Sequence, residues 1–152
     1  MRVLIDGDGC PRGVKEVVFR AAQNRGIDVV IVANRELTIP RHPRIRAVRV
    51  SHGLDVADEW LVQNTTPGEL VITSDVPLAA ELVARGVTAI SARGETWTVA
   101  NVRERLSLRD FFVEARESGL IQGGGPPPFD EKAVRMFANA LDRWLSAAMR
   151  KG

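Results

Sequence analysis

The chain has 152 residues, 45% hydrophobic and 26% charged, which is one domain's worth of chain with enough apolar residues for a core. That composition excludes a disordered chain, the 13 Gly and 8 Pro exclude a coiled coil, and the single Cys excludes a disulfide framework. Lys+Arg 21 against Asp+Glu 19 leaves only +2, so charge alone does not mark a nucleic-acid-binding protein despite a pI of 9.2.

Val3-Leu4-Ile5 is a short apolar run ending in Asp6-Gly7-Asp8-Gly9, the pattern of a buried strand followed by a loop. Pro11 suits the start of a helix, Val14, Val17, Val18, Ala21 and Ala22 recur at helical spacing, and Gly26 stops it. Asp28 to Asn34 reads as a second buried strand, Thr38 to Pro43 as a loop, and Arg46 to Val50 alternates like a strand. Leu54 to Asn64 predicts a short amphipathic helix carrying Val56, Ala57, Trp60 and Leu61. Glu69 to Thr73 is a third buried strand ending in Ser74-Asp75, Pro77 opens a helix through Arg85, and Val87 to Ile90 is a last short strand.

The pattern then turns helical, with helices at about 101–118 and 130–149. Leu108, Phe111, Phe112 and Ala115 share one face of the first, whose clearest run is Leu106 to Glu117. Asp130 is a good N-cap for the second, whose stripe is Val134, Phe137, Ala138, Leu141, Leu145 and Ala148. Gly123 to Pro128 reads as a loop joining these helices. Strands alternating with helices imply a single three-layer α/β/α domain, residues 1–152, around a mainly parallel sheet. The N-terminal apolar stretch is far too short for a signal peptide and no apolar run is long enough to span a bilayer, so a soluble, cytoplasmic protein without membrane partners is expected.

Charge is segregated along the chain. Residues 35–49 hold Arg35, Arg41, Arg44, Arg46 and Arg49 against Glu36, whereas residues 55–95 hold seven acids and two Arg. In open α/β sheets ligands bind beyond the carboxyl ends of the strands. Two strands end there in acid, one in Asp6 and Asp8, the other in Asp75, and Asp55, Asp58 and Glu59 read as one acidic helix face. Carboxylates gathered in one cleft repel and raise one another's pKa, and a hard divalent cation such as Mg²⁺ or Mn²⁺ resolves the conflict. The bland alternatives are turn formation by Asp6 and Asp8, N-capping by Asp75, and a solvated first turn for Asp55, Asp58 and Glu59.

Asp6-Gly7-Asp8-Gly9 after a strand also fits a haloacid-dehalogenase-type phosphatase, but neither Lys15, Lys132 nor Lys151 follows a middle strand to stabilise a phosphoenzyme. The glycines Gly7, Gly9 and Gly13 are misplaced for a dinucleotide fingerprint. His42 and His52 lack zinc-ligand spacing, Cys10 reads as a small buried residue, and an aromatic content of 5% does not support a base-stacking platform by Trp60, Trp97 and Trp144.

Asp6-Gly7-Asp8-Gly9-Cys10-Pro11, Val32-Ala33-Asn34-Arg35, Gly53-Leu54-Asp55-Val56-Ala57-Asp58, Val71 to Ala79 and Ala92-Arg93-Gly94 occur in this order. Together they resemble the YaiI/YqxD family of bacterial proteins of unassigned function, from about residue 3 to about 140. Gly7 and Gly9 depart from it, standing where the family usually has alanine. That family is in turn similar to PIN-like nuclease domains. The resemblance matches Asp6 and Asp75 to the strand-end acids and Asp55 or Asp58 to the helix acids, with Asp8 an alternate ligand; Asp6, Asp58 and Asp75 are expected to hold the metal, with Asp55 and Asp8 assisting. Arg35 and Arg93, each just after a strand end, are expected with Asn34 to face substrate phosphate. It implies a metal-dependent phosphodiesterase acting on RNA or another nucleic acid. The competing expectation is a non-catalytic RNA- or protein-binding module on the same scaffold.

Overall fold

In the computed structural model, residues 1–53, 55–119 and 128–151 are described, so residues 123–127 of the expected Gly/Pro loop and Leu54 at the expected start of its helix lie outside them. Five strands form one parallel sheet: β1 (Arg2–Asp6), β2 (Asp28–Ala33), β3 (Ile45–Arg49), β4 (Leu70–Ile72) and β5 (Thr88–Ile90). Their order across the sheet is β3-β2-β1-β4-β5. The chain therefore builds outward from β1 on one side, then crosses over to build on the other. Register sets Val3, Leu4 and Ile5 of β1 against Leu70, Val71 and Ile72 of β4, which brings Asp6 level with Thr73.

Helices cover both faces, giving the three α/β/α layers. On one face α1 (Arg12–Arg25) and α5 (Glu131–Lys151) pack on Val3, Ile5, Val29, Ile31 and Ile72. On the other, α2 (Val56–Gln63), α3 (Val76–Ala84) and α4 (Val99–Glu117) pack on Leu4, Val30, Val32, Val71 and Ala89. The continuous apolar runs of β1, β2 and β4 follow from this, because alternate side chains enter opposite cores. Leu4 is fully buried, and its truncation to Ala is worth roughly 2–5 kcal/mol.

The ends of the elements show how local chemistry sets the frame. Gly26 stops α1 in the left-handed conformation (φ 67°). Pro11 precedes α1 as its N-cap residue and is not its first helical residue. The Asp130 carboxylate accepts from the Ala133 amide at 3.0 Å, as an N-cap should. α4 begins earlier than its apolar pattern suggests, because Thr98 and Asn101 cap each other reciprocally at 3.1 and 2.7 Å. Of the face expected on this helix only Ala115 is buried; Leu108, Phe111 and Phe112 are exposed. β3 is a sheet edge, and it presents Arg46 and Arg49 to solvent. Among the described residues no helix is long and apolar enough to cross a membrane.

Candidate functional site

Crossing from β3 to β4 opens a crevice at the carboxyl ends of β1 and β4, the place where neighbouring connections leave the sheet in opposite directions. A cleft of about 210 Å³ sits there, lined by Asp6, Asp8, Gly9, Cys10, Thr73, Ser74 and Asp75 among others. Asp6 is the last residue of β1, and Gly7 extends the ladder by donating to the Val32 carbonyl at 2.7 Å. A Cβ on Gly7 would meet that same oxygen at 2.8 Å, so the glycine lets β2 hold the Asp6–Asp8 turn closely.

Thr73 organises the other wall. Its buried hydroxyl donates to Asp6 Oδ2 at 2.9 Å and accepts from the Asp75 amide at 3.0 Å. Trp97, also buried, donates its indole N–H to the Thr73 carbonyl at 3.0 Å. Asp75 Oδ1 caps α3 by accepting from the Leu78 amide at 3.0 Å. Asp75 thus caps α3 with one oxygen and also lines the cleft. Neither Thr73 nor Trp97 was singled out as a site residue from sequence. The available signal was registration: two apolar runs ending in Asp6 and in Thr73-Ser74-Asp75.

Asp6 is pushed up to about 7, first by burial and then by the charges of Asp58, Asp75 and Asp8, with the Thr73 hydroxyl opposing. Asp58, on the first turn of α2, is pushed up to about 6 by partial burial and by Asp75, Asp55 and Glu81. The charges acting on Asp6 are thus other carboxylates, each of which disfavours its ionised form. Cys10 lines the same cleft, but burial pushes its thiol up to about 12, so it is no nucleophile at neutral pH.

The remaining expected site residues take other positions. Asp55 is not on the helix face with Asp58: it precedes α2 as an exposed N-cap in the left-handed conformation (φ 64°), and reaches the cluster only through Asp58. Asp8 Oδ2 accepts from the Asn34 amide at 2.9 Å, so it clasps the β1 loop to the end of β2. Its other oxygen lies 3.9 Å from exposed Arg35. Arg93 stacks over the Phe129 ring, 5.3 Å from its centroid, and so engages the segment leading into α5. His42 Nδ1 accepts from the Arg44 amide at 3.1 Å, a turn-forming role.

The donors in the cleft are carboxylate and hydroxyl oxygens, which suit a hard cation. Among the described residues no three His, Cys, Asp or Glu side chains are close enough to hold an ion between them. Mg²⁺ keeps several waters and needs only one or two direct carboxylates, so Asp6 with one neighbour is a sufficient inner set.

Fold and site together define an α/β protein with an acidic crevice at the switch point of a parallel sheet. The family model "Uncharacterized BCR, YaiI/YqxD family" matches residues 4–147, and the chain belongs to that family. A UPF0178 protein of Shewanella amazonensis is 49% identical over 146 residues, covering 96% of this chain and 97% of its own length. A UPF0178 protein of Photobacterium profundum is 45% identical over 151 residues, covering 99% and 100%. One from Cellvibrio japonicus is 44% identical over 146 residues, covering 96% and 97%. No solved structure matches the chain.

Proposed function

We propose that the crevice is a divalent-cation-dependent phosphodiesterase centre, PIN-like in kind, acting on RNA or another nucleic acid. The observation that carries this reading is the convergence of Asp6, Asp58 and Asp75 where β1 and β4 end, with Asp6 buried among carboxylate charges. Asp6 together with Asp75 or Asp58 would hold Mg²⁺ or Mn²⁺, the rest of the ion's shell being water. Bound there, such an ion supplies Lewis-acid activation of water and neutralises charge developing on a phosphoryl group.

The protein's own groups have separate tasks. The Thr73 hydroxyl holds Asp6 in one orientation, leaving its other oxygen for the cation. Asp58, raised by partial burial and the neighbouring carboxylates, is the acid suited to take the proton from an attacking water where it is not itself a ligand. Arg35, steadied by Asp8, is the cation placed to hold a phosphate at the mouth.

The test is Mn²⁺ titration into wild type and the double variant Asp6→Asn/Asp75→Asn, reading melting temperature and cleavage of an unstructured RNA. Wild type should gain several degrees and cleave; the double variant should do neither. Absence of metal-linked stabilisation in wild type would sink the site. Salt-sensitive RNA binding that survives in the double variant, with no cleavage in either protein, would make the chain a non-catalytic binding module.

A further inference from the structure

A second, larger depression of about 680 Å³ lies between the start of α1 and the loop after β2. That volume is typical of small-molecule sites. Its floor is apolar, with Phe19 of α1 and Leu37 and Ile39 of the loop. All three pack on the α1/α5 core, but Leu37 and Ile39 are only half-buried and present part of their surface outward. Its rim carries Arg12, Lys15 and Arg35. Glu16 and Glu36 also border it, but Glu16 is taken up by Arg12 at 3.4 Å. Among the described residues Lys15 makes no ion pair.

The groove and the acid crevice lie on neighbouring stretches of one turn, Asp8, Gly9 and Cys10 lining the crevice and Arg12 the groove. Arg35 borders the groove and approaches Asp8 of the crevice at 3.9 Å. Lys15 borders the groove and acts electrostatically on Cys10 of the crevice.

An apolar slot whose rim offers Lys15 and Arg35 beside Glu36 matches a nucleotide. A base offers a flat face that gains from leaving water, and its phosphate pairs with ammonium and guanidinium groups. A duplex offers no free base face, because its bases are stacked and paired. An acidic peptide would satisfy the cations and leave the apolar floor uncovered. We infer that the groove binds one unpaired nucleotide of a single strand, the neighbour of the phosphate presented to the acid crevice. Its base lies on Phe19, Leu37 and Ile39 and its phosphate on Lys15, with Arg35 between it and the crevice. The neighbouring crevice's role here rests on the phosphodiesterase reading; the groove's own ligand does not.

The test is fluorescence anisotropy of a labelled six-nucleotide single-stranded RNA with the full chain in EDTA, so that cleavage plays no part. Lys15→Glu and Leu37→Asp are compared with wild type, and circular dichroism confirms folding. Each variant should bind at least about tenfold more weakly. Lys15→Glu should also reduce the salt slope by about one. A duplex of the same sequence should bind at least about tenfold more weakly than the single strand. Because Lys15 is half-exposed, its variant carries the test even if Leu37→Asp fails to fold. No binding by wild type, equal affinity in Lys15→Glu, or duplex binding as tight as the single strand overturns the assignment. So does a nucleoside monophosphate that binds where the oligomer does not. Intact anisotropy without Mn²⁺-dependent cleavage would fail the phosphodiesterase reading and leave the groove standing.

Discussion

The carboxylates at the ends of β1 and β4 and the arginines from Arg35 to Arg49 are both clusters of like charge, and the sheet handles them differently. The acids converge. Asp6 and Asp75 leave adjacent parallel strands at one end, and α2 brings Asp58 within electrostatic reach of both. The arginines disperse. Arg46 and Arg49 face solvent along the edge strand, and Arg44 pairs with Asp28 at 3.2 Å. Arg35 alone of the five meets an acid of the crevice. Like charge adjacent in sequence is therefore spread out when it runs along an edge strand, whereas acids distant in sequence are concentrated at a sheet's switch point.

The sharpest way to break this contrast is Asp6→Asn. If Asp6 is the central ligand, Mn²⁺-dependent RNA cleavage should fall by at least about 10². The same variant reads the electrostatics. A carboxylate raised to about 7 in the folded protein, against about 4 unfolded, favours folding when protonated. Its stabilisation is complete below pH 4 and is lost as pH rises through 7. Metal-free wild type should accordingly lose about 3–4 kcal/mol between pH 4 and 8, and Asp6→Asn should flatten that profile. Denaturant melts across this range decide it; a profile unchanged by the substitution would mean that Asp6 is not the strained acid.

Thr73→Val comes next. It strips the buried hydroxyl from both Asp6 and the Asp75 amide, which should cost about 1–3 kcal/mol. It should also move the Asp6 titration further upward, since that hydroxyl opposes the shift. The Asp6 carboxyl carbon in a pH-dependent NMR titration reports this directly. Asp75→Ala should cost about 1 kcal/mol through the lost α3 cap, whereas Asp75→Asn retains a capping oxygen and removes only the charge. Comparing their melts separates capping from metal binding. At the small end, Arg46→Ser and Arg49→Ser should stay within about 0.5 kcal/mol of wild type and leave cleavage unchanged. A large loss of cleavage in either would mean that the edge strand serves the site after all.

Much of the frame was legible because it rests on local rules. Apolar runs marked β1, β2 and β4, Gly26 closed α1, and Asp130 opened α5. Asp6 and Asp75 could be proposed because strand ends are visible in a sequence. Their partners in space were not. Thr73 gains its role only when β4 is set beside β1, a pairing across 67 positions that no local pattern encodes. Asp55 was misread because a left-handed residue immediately before a helix looks, by spacing alone, like part of it. Asp8 and Arg93 looked like free site residues, yet an amide and an aromatic ring engage them. The outward face of α4 was read from its spacing without any knowledge of what would pack on it.

The crossover from β3 to β4 also sets an order of assembly. β1, β2 and β3 can pair as soon as the first 50 residues are available, and until β4 arrives the far edge of β1 leaves Val3, Leu4 and Ile5 on an open ladder. Closing it requires a long-range contact, the slow kind in folding. The last event of that closure is also what juxtaposes Asp6 with Thr73 and Asp75. On a ribosome the crevice would thus come into being only after the half-sheet, in the same step that covers the open apolar edge of β1.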